Sequence, residues 1–193
     1  MVKTTCLLVA ITFIFYRCTD TPEAQYKRLE EKELQSGIRY DSIFKGLYFG
    51  MKHKEFRDYC YQKNTVEHDF KMGGSNTSWL ESKLEGELNY PAAINFYPVF
   101  SEGVITEMNA SIYYDNAVFK DGTFEKDSLL IDVLKLMERW YEKPFLKIKS
   151  PYAYKEDIYV SICGNRRVTV YPAITSEIKV WIVDLYSKER KEK

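Results

Sequence analysis

The sequence GLYFGMKHKEFRDYCYQKN, from Gly46 to Asn64, marks the point where the folded part of the chain begins. Its opening residues are apolar or glycine, which predicts a short strand, and Gly50 permits a sharp turn because glycine readily adopts positive φ. After the turn, apolar residues recur at the spacing of one helix face: Phe56, Tyr59 and Cys60. We therefore predict a strand, a glycine joint and a helix over about 52–64.

A second helix is predicted over about 128–142, where apolar residues recur with the 3.6-residue period of an α-helix. The stripe consists of Leu130, Val133, Leu134, Met137, Trp140 and Tyr141. Asp127 or Ser128 can cap the start of this helix, and Pro144 ends it. We interpret the stripe as a core-packing surface rather than as a cofactor site.

A β-hairpin is predicted on either side of the loop Ser101–Gly103, because apolar residues alternate along both flanks. This three-residue loop would pair Phe100 with Val104, Phe96 with Met108, Ile94 with Ala110 and Ala92 with Ile112. Gly103 would take the left-handed position of the loop. The residues expected to face away from the core are Ile105, Glu107, Asn109 and Ser111.

A second hairpin surrounds Gly164, and two registers are open. A two-residue turn, Gly164–Asn165, would pair Ile162 with Arg167. A three-residue loop would pair Ile162 with Val168 instead, and the hydrophobic pattern favours this second register.

The remaining strands complete the prediction of the fold. The segment 177–186 is apolar on both parities, which indicates a central strand or one covered on both sides. Weaker strands are predicted at 66–72 and 145–149. The element order predicts an α+β fold, an antiparallel sheet with the two main helices packed on one face. The two halves can also be interpreted as a diverged structural repeat, although no sequence self-similarity demands it.

The amino-terminal segment 1–17 is predicted to be an export signal. Lys3 precedes an apolar run from Cys6 to Tyr16, which as a helix spans about 16 Å and is too short for a hydrocarbon core of about 30 Å. Cys18 follows directly, an arrangement that resembles a bacterial lipoprotein signal and implies acylation of that cysteine. Cleavage without a lipid and an uncleaved short anchor are the alternatives. All three place the body outside the cytoplasm, either lipid-anchored to a membrane of the cell envelope or periplasmic or extracellular.

The rest of the chain divides into three parts. Residues 18–38 form a polar tether, residues 39–187 a single α+β domain, and residues 188–193 a charged tail. The tether can form a helix, but its apolar residues are few, so we expect that little would bury it. Those residues are Tyr26, Leu29 and Leu34.

Length and composition limit the number of domains and the class of partner that we expect. The chain has 193 residues, enough for one domain with a sizeable core. Lys and Arg together number 28, as do Asp and Glu, and this balance argues against nucleic acid as a partner. Tyrosine is abundant, with 16 residues, and suits half-exposed sheet positions as well as binding surfaces.

Candidate chemical groups are sparse. The only histidines are His53 and His68, and on a strand the neighbours of His68, Glu67 and Asp69, would point to the opposite face. No nucleophile elbow, P-loop or dinucleotide-binding fingerprint occurs. We therefore predict no catalytic residue, no metal ligand and no cofactor, and we expect that the chain is not an enzyme.

Two cysteines remain beyond the export signal and Cys18, namely Cys60 and Cys163. Outside the cytoplasm, they can pair as a disulfide. Two separate buried thiols are the alternative, and the sequence leaves both open.

The motif Gly50-Met51-x-x-x-Glu55-Phe56 resembles the helix start of small envelope lipoproteins, including the SmpA/OmlA-type accessory subunits of outer-membrane barrel assembly. In those proteins a helix opens at the glycine–methionine step and an antiparallel sheet follows. The resemblance is confined to residues 46–56, and Lys52 stands where the family often has a capping Ser or Thr. It implies an envelope location and a partner-binding role, and it carries over no catalytic residue.

Two functions follow as expectations. The first is a non-enzymatic envelope lipoprotein that acts as a protein-interaction or assembly-accessory module and has a protein partner in the envelope. The alternative is an extracytoplasmic domain that binds a glycan or peptide through surface tyrosines. The tyrosines considered for that role are Tyr113, Tyr152, Tyr154 and Tyr159.

Overall fold

A computed structural model describes residues 21–72, 79–115, 126–149, 157–173 and 176–189. These residues form one eight-stranded antiparallel sheet and four helices. The predicted α+β class is therefore confirmed.

The helices are α1 (Pro22–Gln35), α2 (His53–Thr65), α3 (Lys126–Tyr141) and α4 (Leu185–Glu189). The strands are β1 (Phe70–Met72), β2 (Leu80–Lys83), β3 (Ala92–Ser101), β4 (Val104–Tyr114), β5 (Leu146–Ile148), β6 (Ile158–Cys163), β7 (Arg166–Pro172) and β8 (Ile178–Asp184). Their order across the sheet is β1-β2-β3-β4-β8-β7-β6-β5. The last strand, β8, is central, as its two-sided apolar pattern predicted.

The sheet consists of two four-stranded meanders that meet where β4 pairs with β8. Helix α2 precedes β1–β4, and α3 precedes β5–β8, so each half repeats one helix followed by four antiparallel strands. The strand order is symmetric about the β4–β8 pair. The repeat that the sequence left open is therefore visible in the order of the elements.

Helices α2 and α3 share the main hydrophobic core with one face of the sheet. The ring of Tyr59 in α2 lies against Phe70 of β1, with 6.2 Å between the ring centroids. Phe70 in turn packs edge-to-face on Phe96 of β3 at 5.2 Å. From α3, Leu136 and Met137 are fully buried in the same cluster.

The apolar stripe of α3 is rotated relative to the prediction. Its most buried residues are Leu129, Val133, Leu136, Met137 and Tyr141, whereas Leu130, Leu134 and Trp140 are only partly buried. Apolar residues occupy such a broad arc of this helix that periodicity alone could not say which part faces the sheet. The helix ends at Tyr141, where Glu142 adopts a φ of 55°.

The segment 46–51 is not the predicted strand. Gly46 and Gly50 have φ values of 77° and 86°, and each turns the chain. Between them, Leu47 and Phe49 are buried in the main core. Only isolated bridges form near this segment, from Ser42 to Tyr48 and from Lys52 to Val104. The alternation of buried residues resembles that of a strand, but the glycines prevent a continuous ladder.

The first hairpin exists, but its predicted register is wrong, by one residue beside the turn and by two residues beyond a bulge. Ser101 pairs with Val104, so the turn is Glu102–Gly103, with φ values of 53° and 80°. A bulge lies between Val99 and Phe100, and beyond it Ile94 pairs with Ile112 and Phe96 with Ala110. Beyond the bulge, the shift of two residues keeps each side chain on its face, so parity could not exclude it.

Among the four residues expected to face away from the core, Glu107, Asn109 and Ser111 do so. Ile105 does not, since it is fully buried in the main core. Its backbone exchanges hydrogen bonds with the segment after Gly46: Gly50 N donates to Ile105 O, and Ile105 N donates to Met51 O. That segment covers a position which the hairpin by itself would leave open.

The second hairpin adopts the register that the hydrophobic pattern disfavoured. Cys163 pairs with Arg166 and Ile162 with Arg167 across the Gly164–Asn165 turn. The prediction paired Ile162 with Val168 because both are apolar, yet Arg167 takes the place opposite Ile162, where it is half-buried and contacts α1. Gly164 is required at the turn, because its φ is 56° and a Cβ would overlap the carbonyl oxygen of Ile38.

Helix α1 packs on the sheet, so the expectation that little buries the polar tether is wrong for three residues. Tyr26, Leu29 and Leu34 are partly buried against a second cluster of Ile148, Val160, Ile162 and Leu185. In the register of β6 and β7, Ser161 lies opposite Val168 of the main core, so its neighbours Val160 and Ile162 point to the other face. Helix α1 therefore covers the face opposite α2 and α3.

We predict that Gly46→Ala destabilises the protein by about 2–5 kcal/mol, because positive φ costs a non-glycine residue about 1–2 kcal/mol and overpacking adds about 1–3 kcal/mol. A Cβ at Gly46 would overlap the hydroxyl of Tyr59, which donates to the carbonyl of Lys45 at 2.6 Å. Denaturant unfolding measures the effect.

Gly50→Ala is the matched control, because Gly50 also has positive φ but a Cβ there meets no atom within 4 Å. It should lose only the backbone contribution of about 1–2 kcal/mol. Adding Tyr59→Phe to Gly46→Ala should restore part of the lost stability. Equal losses for the two alanine variants would contradict the overlap.

Candidate functional site

Among the described residues, no helix covers the sheet face opposite α2 and α3 over β1–β4 and β8. Residues directly opposite each other on neighbouring strands share a face, so the register defines this surface. One row of partners crosses five strands: Lys71, Glu81, Asn95, Ser111 and Lys179. The rows on either side are Lys83, Ala93 and Tyr113, and Tyr97, Asn109 and Trp181. We call these eleven residues, counted from the three rows, the open face.

The open face ends where α1 begins. The row of Tyr97 and Trp181 continues through Thr169 to Val160 and Leu146, and the last two lie against α1. The side chains thus change from aromatic and polar to aliphatic along one row. This change in composition determines which part of the face the helix covers.

Hydrogen bonds between strands hold the polar side chains of the open face in place. Tyr113 Oη donates to Glu81 Oε2 at 2.7 Å, and Lys179 Nζ donates to Ser111 Oγ at 2.9 Å. At the margin, Trp181 Nε1 donates to Glu107 Oε2 at 2.9 Å, which fixes the indole. A ligand or partner would therefore meet a largely preorganised surface.

Two aromatic residues flank an amide in the row of Tyr97. The Tyr97 side chain is 48% exposed, and Trp181 is half-buried. Asn109 lies between them, so the two aromatic residues are two strands apart, a Cα separation of about 9.6 Å. The guanidinium of Arg167 lies 5.3 Å from the centroid of the Trp181 ring and borders the row on the α1 side.

The Tyr113 phenol remains a hydrogen-bond donor at neutral pH. Partial burial raises its pKa, and the hydrogen bond to the Glu81 carboxylate and the charge of that carboxylate raise it further. The hydroxyl thus stays protonated and directed at Glu81, and the ring face is the part of Tyr113 that a ligand can use.

A half-open cleft of about 630 Å³ lies at the end of the open face nearest the turn between β2 and β3. Tyr90 and Tyr113 contribute aromatic walls, and Ala93 contributes an apolar floor. The polar residues around it include Lys71, Glu81, Lys83, Glu85, Asn89 and Asp115. The cleft therefore combines two tyrosines with groups that can form hydrogen bonds.

A second cleft, of about 470 Å³, lies beside the β1–β2 edge and contains residues that the sequence analysis considered. Asp69 there accepts hydrogen bonds from Lys45 Nζ at 2.9 Å and Ser82 Oγ at 2.8 Å. Burial alone would raise the pKa of Asp69, but these bonds and the charges of Lys45 and Lys63 outweigh it and lower the pKa. Asp69 is thus a fixed, ionised structural group.

Neither His68 nor His53 forms a metal site with neighbouring carboxylates in the described part of the chain. His68 is exposed and lies in the loop before β1 with a φ of 54°, not on a strand as assumed. His53 is exposed in the first turn of α2, with its ring 4.7 Å from that of Phe100. Across the described part of the chain, no group of three or more His, Cys, Asp or Glu side chains is arranged to hold a metal ion.

Cys60 and Cys163 are both free and buried rather than joined as a disulfide. Cys60 belongs to the main core, where burial raises the pKa of its thiol to about 12. Cys163 lies at the end of β6 opposite Arg166. A thiol with such a raised pKa stays protonated at neutral pH, so Cys60 is a poor nucleophile.

The tyrosines expected to form a ligand site are not all on one surface. Tyr113 lies on the open face, whereas Tyr159 pairs with Val170 on the face of the main core. Tyr152 and Tyr154 lie outside the described residues, as does Cys18. The predicted tail, 188–193, lies outside them from residue 190 onwards.

Tyr97, Asn109 and Trp181 are neighbours that the sequence alone did not predict. A signal was available for the first two, because they occupy the odd positions that alternate with the core residues of β3 and β4. Trp181 carried no such signal, since only the pairing of β8 with β4 places it beside Asn109.

Three buried charged residues, Asp132, Arg166 and Asp184, bind neighbouring backbone and side-chain groups. Asp132 accepts hydrogen bonds from Asn89 and from the Tyr114 hydroxyl at 2.6 Å, which attaches the β2–β3 turn to α3. Arg166 donates to Ser42 and stacks on Tyr141 at 4.3 Å. Asp184 accepts from Asn165 at 2.9 Å. These contacts connect loops to the core, which is a structural role.

Comparison of the chain with family models, curated proteins and solved structures finds no match. No helix among the described residues is long and apolar enough to cross a membrane. The chemistry of the open face and of its adjoining cleft is therefore the basis for a functional proposal.

We predict that stability falls as the pH drops below about 4, in part through Asp69. The pKa of Asp69 is lowered in the folded state. Its contribution to the free energy of unfolding is therefore fully present above the pKa of the unfolded chain, about 3.9, and is lost as the pH falls through the lower pKa of the folded state. Asp69→Asn should cost about 1 kcal/mol at pH 7 and make the loss below pH 4 shallower. Urea unfolding across this pH range measures both effects, and parallel curves for the two proteins would contradict the prediction.

Proposed function

We propose that this chain is a non-enzymatic, lipid-anchored protein of the cell envelope that binds a protein partner through the open face. The observation that carries the proposal is the preorganised row of Tyr97, Asn109 and Trp181, over which none of the described helices packs, on a sheet whose other surfaces are packed by helices. The resemblance of Gly50–Phe56 to envelope lipoproteins supports the same class of function.

The size of the open face supports a transient protein contact. Its eleven positions, on strands about 4.8 Å apart and in rows about 6.8 Å apart, cover roughly 360 Å². A stable complex usually buries about 800 Å² on each partner, whereas transient encounters bury less.

The distribution of side chains also fits a protein interface. The residues that contribute most to protein binding are enriched in Tyr and Trp, whereas Lys is depleted at interfaces. Here Tyr97 and Trp181 share a flanking row with Asn109, while Lys71 and Lys83 lie toward the β1–β2 edge. Truncation of Tyr97 or Trp181 should therefore cost more affinity than truncation of Lys71 or Lys83.

We predict that a photo-crosslinking residue at position 97, introduced in the full-length protein in its native envelope, captures one reproducible protein. The matched control is position 61, because Tyr61 is also an exposed tyrosine, 67% exposed, but lies on α2 at the other sheet face. Mass spectrometry identifies the crosslinked protein.

A captured protein counts only if it binds again after purification. It should bind wild-type protein and the Tyr61→Ala variant equally, while Tyr97→Ala weakens binding at least about tenfold, or 1.4 kcal/mol. Equal crosslinking at positions 61 and 97, or equal affinity of the two alanine variants, would overturn the open face as the docking site.

The membrane anchor is supported by the apolar run that ends immediately before Arg17 and Cys18. We predict that mass spectrometry of the mature amino terminus finds an acylated Cys18, and that Cys18→Ala releases the protein from membranes. A protein that retains Met1 would refute the lipid anchor at Cys18, and a mature chain without lipid would show cleavage alone. Neither result bears on the open face.

The cleft between Tyr90 and Tyr113 favours a second candidate, the binding of an oligosaccharide or a short peptide. Small-ligand sites are concave and combine apolar or aromatic walls with a few polar groups, and this cleft has that character. We predict that soluble oligosaccharides of glucose or N-acetylglucosamine give saturation-transfer NMR signals with the wild-type protein. Tyr90→Ala should remove the signals and Tyr61→Ala should keep them. Absence of signals at millimolar ligand would exclude these sugars.

A further inference from the structure

We infer that α1 is a releasable cover and that the surface beneath it accepts an acidic amphipathic helix of another protein in its place. Four buried side chains form this surface, which we call the aliphatic patch: Ile148, Val160, Ile162 and Leu185. The inference goes beyond the proposed docking function, because it concerns the half of the sheet face that α1 covers and does not depend on what the open face binds.

The aliphatic patch requires a cover. Its side chains are between 2% and 9% exposed while α1 is in place. Their exposure to water would be unfavourable, because the burial of apolar surface is the dominant favourable contribution to folding. The patch explains why a helix lies here, but any helix with a matching apolar stripe would bury it.

The attachment of α1 to the patch rests on few contacts. None of its residues is fully buried, and its apolar contacts come from Tyr26, Leu29 and Leu34, which are partly buried. Helix α3, by contrast, has residues such as Leu136 and Met137 with no exposed surface. An isolated helix of 14 residues is marginal in water, so α1 is ordered only while these contacts hold. Helix α1 therefore opens more readily than α3.

The chain can bend at Gly37, between α1 and the sheet. Gly37 has a φ of 68°, and a Cβ there would meet no atom within 4 Å. The chain is fixed again directly afterwards, since the carbonyl oxygen of Ile38 lies against Gly164 and Tyr40 N donates to Asn165 Oδ1 at 2.6 Å. Release of α1 thus leaves the rest of the domain in place.

The polar contacts of α1 define the chemistry of a helix that replaces it. Glu30 lies 3.6 Å from the guanidinium of Arg167. Glu33, three residues later, accepts a hydrogen bond from Gly164 N at 2.8 Å and lies 3.9 Å from Lys143 Nζ. The margin of the patch therefore presents two cations and a backbone donor. The complementary partner is an amphipathic helix with carboxylates beside an aliphatic stripe, which is recognition of a helix in a groove.

A second copy of this chain carries such a helix but competes poorly for the patch. Only residues 36–39 separate α1 from Tyr40, which is bound to the sheet through Asn165. This short connection gives each chain's own α1 a high effective concentration at the patch. An identical helix from a second copy makes the same contacts without that advantage, so the helix that displaces α1 must make further contacts.

Further contacts are available beside the patch. The row of Leu146 and Val160 continues without interruption through Thr169 to Trp181 of the open face. Helix α1 lies over the first part of this row. A protein whose acidic helix replaces α1 and whose neighbouring residues contact Trp181 would bury more surface than α1 does.

The first test measures the binding of a helix added in trans. The probe is a fluorescently labelled peptide of residues 21–37, and the receptor is the full-length protein. In the double-leucine variant, Leu29→Ser with Leu34→Ser, the chain's own α1 loses its leucine contacts, so the patch is open in a larger fraction of molecules. Fluorescence anisotropy should therefore show that the peptide binds this variant at least about tenfold more tightly than the wild type.

Two controls separate competition at the patch from a general loss of stability. Lys27→Ser with Lys32→Ser changes exposed positions of the same helix and should bind the peptide within about twofold of the wild type. A peptide with Glu30→Lys and Glu33→Lys should bind the double-leucine variant at least about tenfold more weakly, because it reverses the charges that face Arg167. Equal affinity of the wild type and the double-leucine variant for the original peptide, or of the two peptides for that variant, would overturn the inference.

The second test needs no substitution. In the wild-type protein, amides of α1 should exchange with deuterium at least about tenfold faster than those of α3, after correction for their intrinsic rates, because α1 opens locally. Equal protection of the two helices would mean that α1 opens only when the whole domain unfolds, which would overturn its release.

Sedimentation tests the remaining occupant, a second copy. The wild-type protein should be monomeric at micromolar concentration, because its own α1 occupies the patch. A dimer that the double-leucine variant fails to form would identify α1 of a second copy as the occupant and would overturn the assignment to another protein.

Discussion

The pairing of β4 with β8 is the interaction on which the rest of this structure depends. Each meander with its helix has two sheet edges, and this pairing turns two of those edges into the centre of one sheet. The core is continuous across the pair, where Met108 lies opposite Ile182 and Ala110 opposite Val180. The open face also spans it, because Lys179 of β8 binds Ser111 of β4. Loss of this pairing would divide the core and the candidate site together.

The two halves have the same order of elements but different surfaces on the face away from α2 and α3. In the second half that face carries Ile148, Val160 and Ile162, which must be covered because their burial is favourable, and α1 covers them. In the first half it carries Lys71, Glu81 and Asn95, which are compatible with water. The difference in side-chain polarity explains why one helix covers one half and leaves the other accessible.

Part of the candidate site could be predicted from the sequence. Tyr113 was considered as a surface tyrosine, and the alternation along β4 placed Glu107, Asn109 and Ser111 on the solvent side. The combination of Asn109 with Trp181 could not be predicted, because more than sixty residues separate them and no local rule pairs β4 with β8. The burial of α1 was not predicted for a similar reason. Its three apolar side chains are too few to indicate burial by themselves, and the polar contacts that complete its attachment come from Arg167 and Gly164 of a distant hairpin.

The sequence by itself determined the α+β class, the two main helices, the existence of both hairpins and the central position of the last strand. These features follow from periodicity, from glycine at turns and from apolar patterning, all of which act over short distances along the chain. Tertiary structure decided the registers, the rotation of α3 and the side of the sheet on which α1 lies. A two-residue shift preserves side-chain parity, and a broad apolar arc fits several rotations, so only contacts between distant segments could select one arrangement.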